Sequence, residues 1–554
     1  MPTLNWIGKE KVINHHQDVP YKILEPQYGF ADGVQQSEPN DSGNKIIHGD
    51  NLEALKSLLP EYEGRVKCIY IDPPYNTGNE SWVYNDNVNH PKIKKWLGEV
   101  VGKDGEDLTR HDKWLCMMYP RFKLLHKLLA DNGAIFISID ENEITHLRLM
   151  CSEIFGKSNY IATITVIVKP EGRRYGYFAK THEYILVFSK DYTKLELNDI
   201  TVDGVEFRYF DEEGGFNLKG LRNRNVKSFN STNRPNLRYP FYVNLECPDK
   251  NGLFQVSTEP KNNWNEVFAS TIDGLESVWR WGKEKSSRQK EDLLANIGND
   301  EEIRIFQKER KLTQTAKTTW INKEFHSITG TRELTEILGK SLFDFPKPEM
   351  LIRQIIEIGT DHNDIILDSF AGSGTTAHAV LNLNNQDGGN RKFILIEMEN
   401  YADSVTAERV KRVAKGYGNS QTSKSGLKKE GTGGSFNYYQ LGEPLFLEED
   451  VLNEAVGLEN ILKYIWYSET RTAYNPKAHS LVEENYRIGS KDQTDYYFYY
   501  TKDAVTTVDY DFMAKIKHKA SQYIIYADNC LLEKDFMLKH HIIFKKIPRD
   551  ITRF

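Results

Sequence analysis

The chain has 554 residues, a hydrophobic fraction of 39% and a formal net charge of −7. This length exceeds a single average domain several-fold, and the apolar content permits a substantial core. The five cysteines are scattered and lack CxxC spacing, which argues against a disulfide framework and a cysteine zinc site. Because the sequence shows neither a secretory leader nor an apolar run long enough for a bilayer, we predict a cytoplasmic protein with no membrane partner and no bound metal.

Short apolar strands that alternate with helical stretches predict an α/β fold with a doubly wound sheet. Residues 1–44 are expected to form an N-terminal arm, and residues 45–190 one half of the sheet, with helices at Asn51–Leu59 and Trp114–Leu129. The polar segment from Asn76 to Arg110 is predicted to be a long loop over a catalytic face, because long structureless loops are often functional lids.

Asp72-Pro73-Pro74-Tyr75 directly follows the apolar run Val66–Ile71. At the end of a buried strand, a carboxylate and a proline carbonyl offer two acceptors to the N–H groups of an exocyclic amine. Proline fixes φ and stiffens such a loop, while Tyr75 offers an aromatic face for a base that has left the duplex. A rigid turn after a core strand is the alternative interpretation of the tetrapeptide.

Residues 191–340 interrupt the α/β rhythm and carry interleaved aromatic and basic residues, which predicts a target-recognition domain. Local basic patches can neutralise phosphates even in an acidic chain, and Arg and Asn can bind base edges bidentately. The predicted DNA-binding residues are Lys169, Arg173, Arg174, Arg222, Asn223, Arg224, Arg280 and Lys283. Solvated basic loops are the alternative interpretation of these patches.

A second motif, Asp368-Ser369-Phe370-Ala371-Gly372-Ser373-Gly374-Thr375, follows a predicted strand at Ile365–Leu367 within the segment 341–417. A strand, a glycine turn and a helix that starts at Thr375 form the arrangement that binds nucleoside cofactors. No lysine follows Gly374, which excludes a P-loop. A further strand ends at Glu397, where a carboxylate can accept hydrogen bonds from ribose hydroxyls.

Residues 418–434 are rich in Ser, Thr, Lys and Gly and predict a flexible linker. Beyond it, residues 435–554 predict a C-terminal α+β domain with an amphipathic helix at Asp450–Trp466 and strands around Tyr496–Tyr500 and Tyr523–Tyr526. No catalytic motif is visible in this region. A purely stabilising accessory domain is one interpretation, and assembly with other subunits is the role that the family resemblance described below implies.

With these motifs the chain resembles β-class amino-methyltransferases that act on DNA adenine, and within them the modification (Mod) subunits of type III restriction-modification systems. The catalytic motif precedes the cofactor motif, as in the circularly permuted β class. The resemblance runs from Lys45 onward and rests on the two motifs above and on these segments: Ile46–Leu52, Ile71–Gly78, Gly133–Asp140, His182–Phe188, Trp279–Gly282 and Phe345–Pro348.

The resemblance implies a Rossmann-like sheet that binds S-adenosylmethionine, and it implies roles for single residues. Asp72 and Pro73 would bind the N6 amine, with Pro74 in the same loop and Tyr75 stacked on the flipped base. The residues expected to contact the cofactor are Asp50, Lys347, Pro348, Asp368, Phe370, Gly372, Gly374, Thr375 and Glu397. Asp at position 72 favours adenine, since cytosine-N4 relatives more often carry Ser there.

The expected partners are double-stranded DNA, a second copy of the chain in a homodimer, and a separate restriction subunit with nuclease and translocase activity. No nucleotide-hydrolysis motif is visible, so ATP-driven cleavage would require that other polypeptide. Two alternatives stay open at this point. One is an amino-methyltransferase for cytosine N4 or RNA, and the other is a recognition subunit that guides a nuclease with weak or no methyl transfer.

Overall fold

The computed structural model describes residues 3–77, 107–175, 177–201, 206–298, 300–418, 429–448, 451–475, 486–502 and 504–554. The predicted loop from Asn76 to Arg110 lies outside these ranges at 78–106, and the predicted linker does so at 419–428. The chain forms two compact units: Met1–Asn198 together with Ala316–Phe554, and Asp199–Thr315.

A mixed sheet of eleven strands is the centre of the first unit. In chain order its strands are β1 (Lys22–Ala31), β2 (Val34–Gln36), β3 (Lys45–His48), β4 (Val66–Ile71), β5 (Leu129–Ile139), β6 (Tyr160–Ile167), β7 (His182–Ser189), β8 (Thr319–Trp320), β9 (Ile365–Asp368), β10 (Lys392–Glu397) and β11 (Phe436–Pro444). Their spatial order is β2-β1-β11-β3-β10-β9-β4-β5-β7-β6-β8.

The six neighbouring strands from β11 to β5 are parallel, while β7 runs antiparallel to β5. Every residue of β4 is buried, as expected of a parallel strand covered by helices on both faces. Strand β9 pairs with β4, and the chain then leads from β9 to β10 on one side and from β4 to β5 on the other. This reversal is a topological switch point, where open α/β sheets bind ligands at the carboxyl ends of their strands. The predicted α/β class is confirmed.

The longer helices of the first unit are α1 (Asn51–Tyr62), α2 (Asp107–Leu128), α3 (Ile144–Ile154), α4 (Ser327–Leu338), α5 (Glu349–Gly359), α6 (Thr375–Asp387), α7 (Glu408–Lys415) and α8 (Leu458–Thr470). A π-helical turn, Ala402–Ala407, leads directly into α7. Shorter helices span Lys9–Val12, His15–Asp18, Tyr510–Lys515 and Lys534–Lys539. Within the described ranges, no helix is both long and apolar enough to cross a membrane.

Several elements differ from the sequence prediction. The segment expected to be an N-terminal arm supplies β1 and β2, and β1 pairs with β11 at the edge of the main sheet. The helix predicted at Trp114–Leu129 begins earlier, at Asp107, and Leu129 already belongs to β5. The helix predicted at Asp450–Trp466 begins only at Leu458, after Gly457 with a φ of 83°, and Asp450 itself lies outside the described residues.

The second unit contains a seven-stranded antiparallel sheet. Its strands are Tyr209–Asp211, Gly214–Gly220, Phe241–Pro248, Phe254–Ser257, Asn265–Val267, Leu293–Ile297 and Ile303–Glu309. The predicted segment 191–340 is wider than this unit. Strand β8 pairs with β6 and therefore belongs, with α4, to the first unit.

The C-terminal part of the chain, after β11, forms a separate sheet of four strands. Its strands are Arg487–Lys491, Thr494–Phe498, Gln522–Ala527 and Ile542–Lys546. The last three of these are parallel to one another. Its Tyr496, Phe498 and Tyr526 are buried in the same hydrophobic core as α8, so this region packs as part of the first unit.

Candidate active site

Asp72 lies immediately after β4, at the carboxyl edge of the sheet beside the switch point. Pro73 is buried, and the Pro74 carbonyl accepts a hydrogen bond from Nε1 of the fully buried Trp114 at 2.8 Å. Trp114 is on α2, so the loop is held by a helix that comes later in the chain. The two prolines and this bond fix the loop and leave the Asp72 carboxylate facing a cleft.

Lys347 joins three groups in that cleft. Its Nζ lies 2.9 Å from Glu183 Oε2 and donates to the Tyr75 hydroxyl at 2.7 Å. The same Nζ lies 3.2 Å from Asp72 Oδ1, as an ion pair without a well-aligned hydrogen bond. The Tyr75 hydroxyl in turn donates to Glu183 Oε2 at 3.1 Å. One ammonium group therefore contacts two carboxylates and one phenol hydroxyl.

Burial and charge oppose each other in this cluster. Burial raises the pKa of the Asp72 carboxyl, the Lys347 ammonium lowers it, and the nearby Glu183 carboxylate raises it further, so that the net shift is upward. Burial by itself lowers the pKa of Lys347, but Asp72 and Glu183 outweigh that effect and raise it. Lys347 is therefore held in its charged form, and its positive charge favours the ionised form of Asp72 against the effect of burial.

The second predicted motif forms a tight turn between β9 and α6. Gly372 and Gly374 have φ of 51° and 79°, a conformation that glycine adopts at little cost. A Cβ at Gly374 would lie 2.9 Å from the Thr406 carbonyl oxygen, so the π-helical turn closes one side of the loop. Thr375 starts α6, as predicted, and its Oγ1 donates to the Lys347 carbonyl at 3.2 Å.

Two acidic side chains support this glycine loop. Asp368 Oδ1 accepts from Phe370 N at 3.0 Å, and Glu397 Oε2 accepts from Gly372 N at 2.7 Å. Both carboxyls are almost fully buried, and burial raises the pKa of each to about 7. Glu397 ends β10, where the sequence placed it beside the cofactor loop.

Asp50 caps the first turn of α1, since its Oδ1 accepts from Leu52 N at 2.9 Å and from Glu53 N at 3.1 Å. Its Oδ2 lies 3.6 Å from an Arg121 nitrogen and has no hydrogen-bond partner. Gly49 N donates to the Glu397 carbonyl at 3.0 Å. The structure thus places the Asp50 turn beside the end of β10, with one buried oxygen of Asp50 left without a hydrogen bond.

The cleft itself has a volume of about 410 Å³, within the range of small-molecule sites. The predicted residues on its wall are Asp72, Pro73, Pro74, Tyr75, Lys169, Lys347, Pro348, Phe370 and Gly372. Four aromatic or acidic residues that sequence reasoning did not assign are also on the wall: Glu183, Phe343, Asp344 and Phe345. The predicted Asp50, Asp368, Gly374, Thr375 and Glu397 are not among the residues that line this cleft.

Glu143 is the centre of a second group of contacts that the sequence did not reveal. This fully buried carboxylate accepts from Asn76 Nδ2 and is bonded to His111 Nδ1, while its other oxygen is 2.9 Å from His146 Nδ1. Asn76 follows the catalytic loop directly and has a φ of 54°. The potential ligand atoms of Glu143, His111 and His146 lie within 4.8 Å of one another, and hydrogen bonding to one carboxylate accounts for that convergence.

Arg409 on α7 is the third feature that sequence reasoning missed. The buried guanidinium donates to Ser373 Oγ at 3.0 Å, to Thr375 Oγ1 at 2.7 Å and to the His378 ring at 3.1 Å. It thereby ties the glycine loop and the first turn of α6 to α7. An arginine in an amphipathic helix reads as a solvated residue in the sequence, so no local signal pointed to this role.

The predicted DNA-binding residues fall into two sets. In the first unit, Lys169 lies on the cleft wall and Arg174 is exposed, while the Arg173 side chain is outside the described structure. The rest belong to the second unit, where Arg224 is exposed and Arg222 forms a β-bridge with Trp279 through its backbone. Arg280 donates to Gln307 Oε1 at 3.1 Å, and Lys283 is 3.2 Å from Glu259. The side-chain oxygen of Asn223 accepts from Asn225 N at 3.0 Å. Their contact with DNA stays a prediction.

A parallel sheet with a carboxylate loop and a glycine loop on adjacent strands defines an α/β enzyme of the nucleoside-cofactor type. Comparison with known proteins agrees. The model of a family described as DNA methylases matches residues 66–408, and the chain belongs to this N6/N4 DNA methylase family.

Three relatives show how far the similarity extends. The EcoPI Mod subunit of the type III restriction-modification enzyme from Escherichia phage P1 is 34% identical over 72% of this chain and 63% of its own length. The StyLTI Mod subunit of Salmonella typhimurium is 31% identical over 74% of this chain and 62% of its own. The type II methyltransferase M.KpnI of Klebsiella pneumoniae is 34% identical over 66% of this chain and 83% of its own. The chain thus spans less than two thirds of the Mod subunits that it matches.

Proposed function

We propose that this chain is an S-adenosylmethionine-dependent DNA methyltransferase that modifies N6 of adenine. The observation that carries the proposal is the position of Asp72. Its carboxylate faces a cleft at the switch point, one strand away from the glycine loop. Membership in the DNA methylase family supports the same chemistry.

The residues around the glycine loop fit the proposed cofactor. Gly372 and Gly374 allow a close approach of the backbone, Glu397 presents a buried carboxylate, and Asp50 retains an acceptor without a hydrogen-bond partner. Phe370 and Phe343 supply apolar surface on the cleft wall. When bound, S-adenosylmethionine supplies an electrophilic methyl group carried on a sulfonium.

The chain's own residues orient and activate the acceptor base. Asp72 accepts one N–H of the exocyclic amine and the Pro73 carbonyl accepts the other, which directs the nitrogen lone pair toward the incoming methyl group. Tyr75 stacks on the base, which must leave the duplex to reach this depth. The positive charge of Lys347 favours the ionised form of Asp72. In that form the carboxylate accepts from the amine before the reaction and can take the proton that N6 loses afterwards.

We further propose that the chain is the modification subunit of a type III-like restriction-modification system. This proposal is supported by similarity to the phage P1 and Salmonella Mod subunits over more than two thirds of the chain. Its partners would be double-stranded DNA, read by the unit Asp199–Thr315, a second copy of the chain, and a separate restriction subunit. The cytosine-N4 alternative is less favoured because position 72 is Asp.

The test is methyl transfer from radiolabelled S-adenosylmethionine to plasmid DNA by the purified chain, followed by acid hydrolysis and modification-sensitive sequencing. We expect N6-methyladenine confined to one short motif. Label in N4-methylcytosine would replace the adenine assignment with the cytosine one. No label in any base, with Asp72→Ala giving the same blank as the wild-type chain, would favour a subunit that only recognises DNA.

A further inference from the structure

The connection between β6 and β7 ends in a hairpin with two highly exposed aromatic side chains. Strands Arg173–Tyr175 and Phe178–Lys180 pair antiparallel, and Tyr177 and Phe178 are 99% and 85% exposed. Large aromatic side chains bury much apolar area when they find a partner. Two neighbouring aromatic side chains that are almost fully exposed to solvent therefore indicate a surface that is covered in a complex.

The base of this hairpin is continuous with the cleft. Val168 and Lys169 both lie on the cleft wall, and both of their N–H groups donate to the Thr181 carbonyl, at 3.0 and 3.1 Å. Glu183, which contacts Lys347, comes only two residues after Thr181. The hairpin therefore projects from the rim of the site in which Asp72 lies.

The charges on the hairpin fit a nucleic acid better than an apolar protein surface. Between positions 169 and 180 the sequence has four basic residues and one acidic residue. Arg174 is exposed, and the Lys180 side chain is half exposed although it pairs with Glu141. At the cleft rim, Lys169 Nζ lies 5.9 Å from the ring centroid of Phe345, which is itself 69% exposed. Cations next to bare aromatic rings are suited to phosphates and stacked bases together.

The dimensions of the hairpin also fit a DNA groove. Phe178 is three positions before Thr181, so the hairpin extends by about 10 Å at roughly 3.3 Å per residue. The grooves of B-DNA are about 7.5 to 8.5 Å deep, and the major groove accepts a two-stranded ribbon. The shape of the hairpin is fixed by Gly172, where φ is 69° and a Cβ would lie 2.6 Å from the Ala179 Cβ.

We propose that Tyr177 and Phe178 form a wedge that enters the base stack and fills the space left when the target base moves into the cleft. The proposal rests on the proposed function, because only chemistry on a base requires that base to leave the duplex. Apolar side chains that insert at base steps are a known means of unstacking DNA. The two side chains lie on a hairpin whose base is at the mouth of the cleft.

The test compares two duplexes that contain the motif found by sequencing the methylated plasmid. In one the target base is paired, and in the other it faces an abasic site and is already free to leave the stack. We expect the Tyr177→Ala/Phe178→Ala variant to lose at least 10-fold in kcat/KM on the paired duplex and to stay within about 3-fold of the wild-type chain on the unpaired one. Phe178→Leu, which keeps an apolar wedge, should retain most of the activity of the wild-type chain on both.

Tyr192→Ala is the matched control, because Tyr192 is 60% exposed and lies beyond the opposite end of β7. An equal loss on both duplexes would overturn the wedge in favour of general DNA affinity. Unchanged activity on both would overturn it in favour of a contact with another protein. Absence of transfer by the wild-type chain to either duplex would refute the proposed function itself, and the wedge with it.

Discussion

Replacing Lys347 with Met tests whether the ammonium tunes Asp72. Its Nζ lies 3.2 Å from Asp72 Oδ1, and at an effective dielectric constant of about 20 two unit charges at this distance attract by about 5 kcal/mol. The two side chains are 15% and 27% exposed, so solvent screens part of this attraction. Loss of the cation should raise the pKa of Asp72 further, because the Lys347 charge lowers this pKa and opposes the effect of burial.

The assay is kcat for methyl transfer as a function of pH. If ionised Asp72 is required, the acidic limb of the profile should move up by about one to three pH units in Lys347→Met, since one pKa unit corresponds to about 1.4 kcal/mol. Glu183→Gln should move the limb in the opposite direction, because the Glu183 carboxylate raises the pKa of Asp72.

Lys194→Met is the control, because Lys194 is also ion-paired, 2.6 Å from Asp131, but is 56% exposed. Surface pairs of this kind contribute little, so its profile should match that of the wild-type chain. If the acidic limb stayed in place in both Lys347→Met and Glu183→Gln, the electrostatic role assigned to this cluster would be wrong.

Four further outcomes are expected. Asp72→Ala should abolish turnover while equilibrium dialysis shows S-adenosylmethionine binding within a few-fold of the wild-type chain. Cofactor affinity should fall as the pH drops through about 7, because the pKa of Glu397 is raised to about 7 and only the ionised carboxylate can accept from both ribose hydroxyls of the cofactor. In Glu397→Gln this pH dependence should disappear. Glu143→Ala should lower the free energy of unfolding in urea by about 1 to 3 kcal/mol, since it removes the acceptor of the buried Asn76 amide and of two partly exposed histidines. Replacing Arg222 or Arg224 by Ala should relax sequence choice by about 1 to 3 kcal/mol if that residue reads a guanine.

Each of these has an outcome that contradicts it. Loss of cofactor binding in Asp72→Ala would make its role structural, and persistent pH dependence in Glu397→Gln would move the titration to another group. The control for Glu143 is Glu10→Ala, an exposed carboxylate whose removal should leave stability unchanged. Equal weakening on all DNA sequences after replacement of Arg222 or Arg224 would indicate a phosphate contact.

The loops of the site could be predicted from the sequence because their signals are local. The buried strand before Asp72 and the glycine turn before Thr375 each fit within about ten residues, and the structure places both at the predicted carboxyl edge. The contact of Lys347 with Tyr75 joins residues 272 positions apart, and that with Glu183 joins residues 164 apart. No periodicity or spacing reports such pairs.

The limits of the sequence prediction are similar for the fold. Strand β11 follows a segment whose composition predicts a linker, and nothing near it in the sequence shows that it belongs to the main sheet. Its place between β1 and β3 is set by pairing with strands that are distant in the sequence. The same reason explains why the expected N-terminal arm is part of the sheet. Composition changes marked the inserted unit, but its end at Thr315 is set by the pairing of β8 with β6, which no composition change shows.

The ends of the unit Asp199–Thr315 are paired with each other. Ile200 faces Gln314 and Thr201 faces Thr313 in a short antiparallel ladder, so the chain enters and leaves this unit at one place. A segment attached in this way can be exchanged for another of different length without lengthening either connection to the sheet. If this unit reads DNA, as proposed above, new specificities can arise by recombination at these two short strands while the residues of the cleft are inherited unchanged.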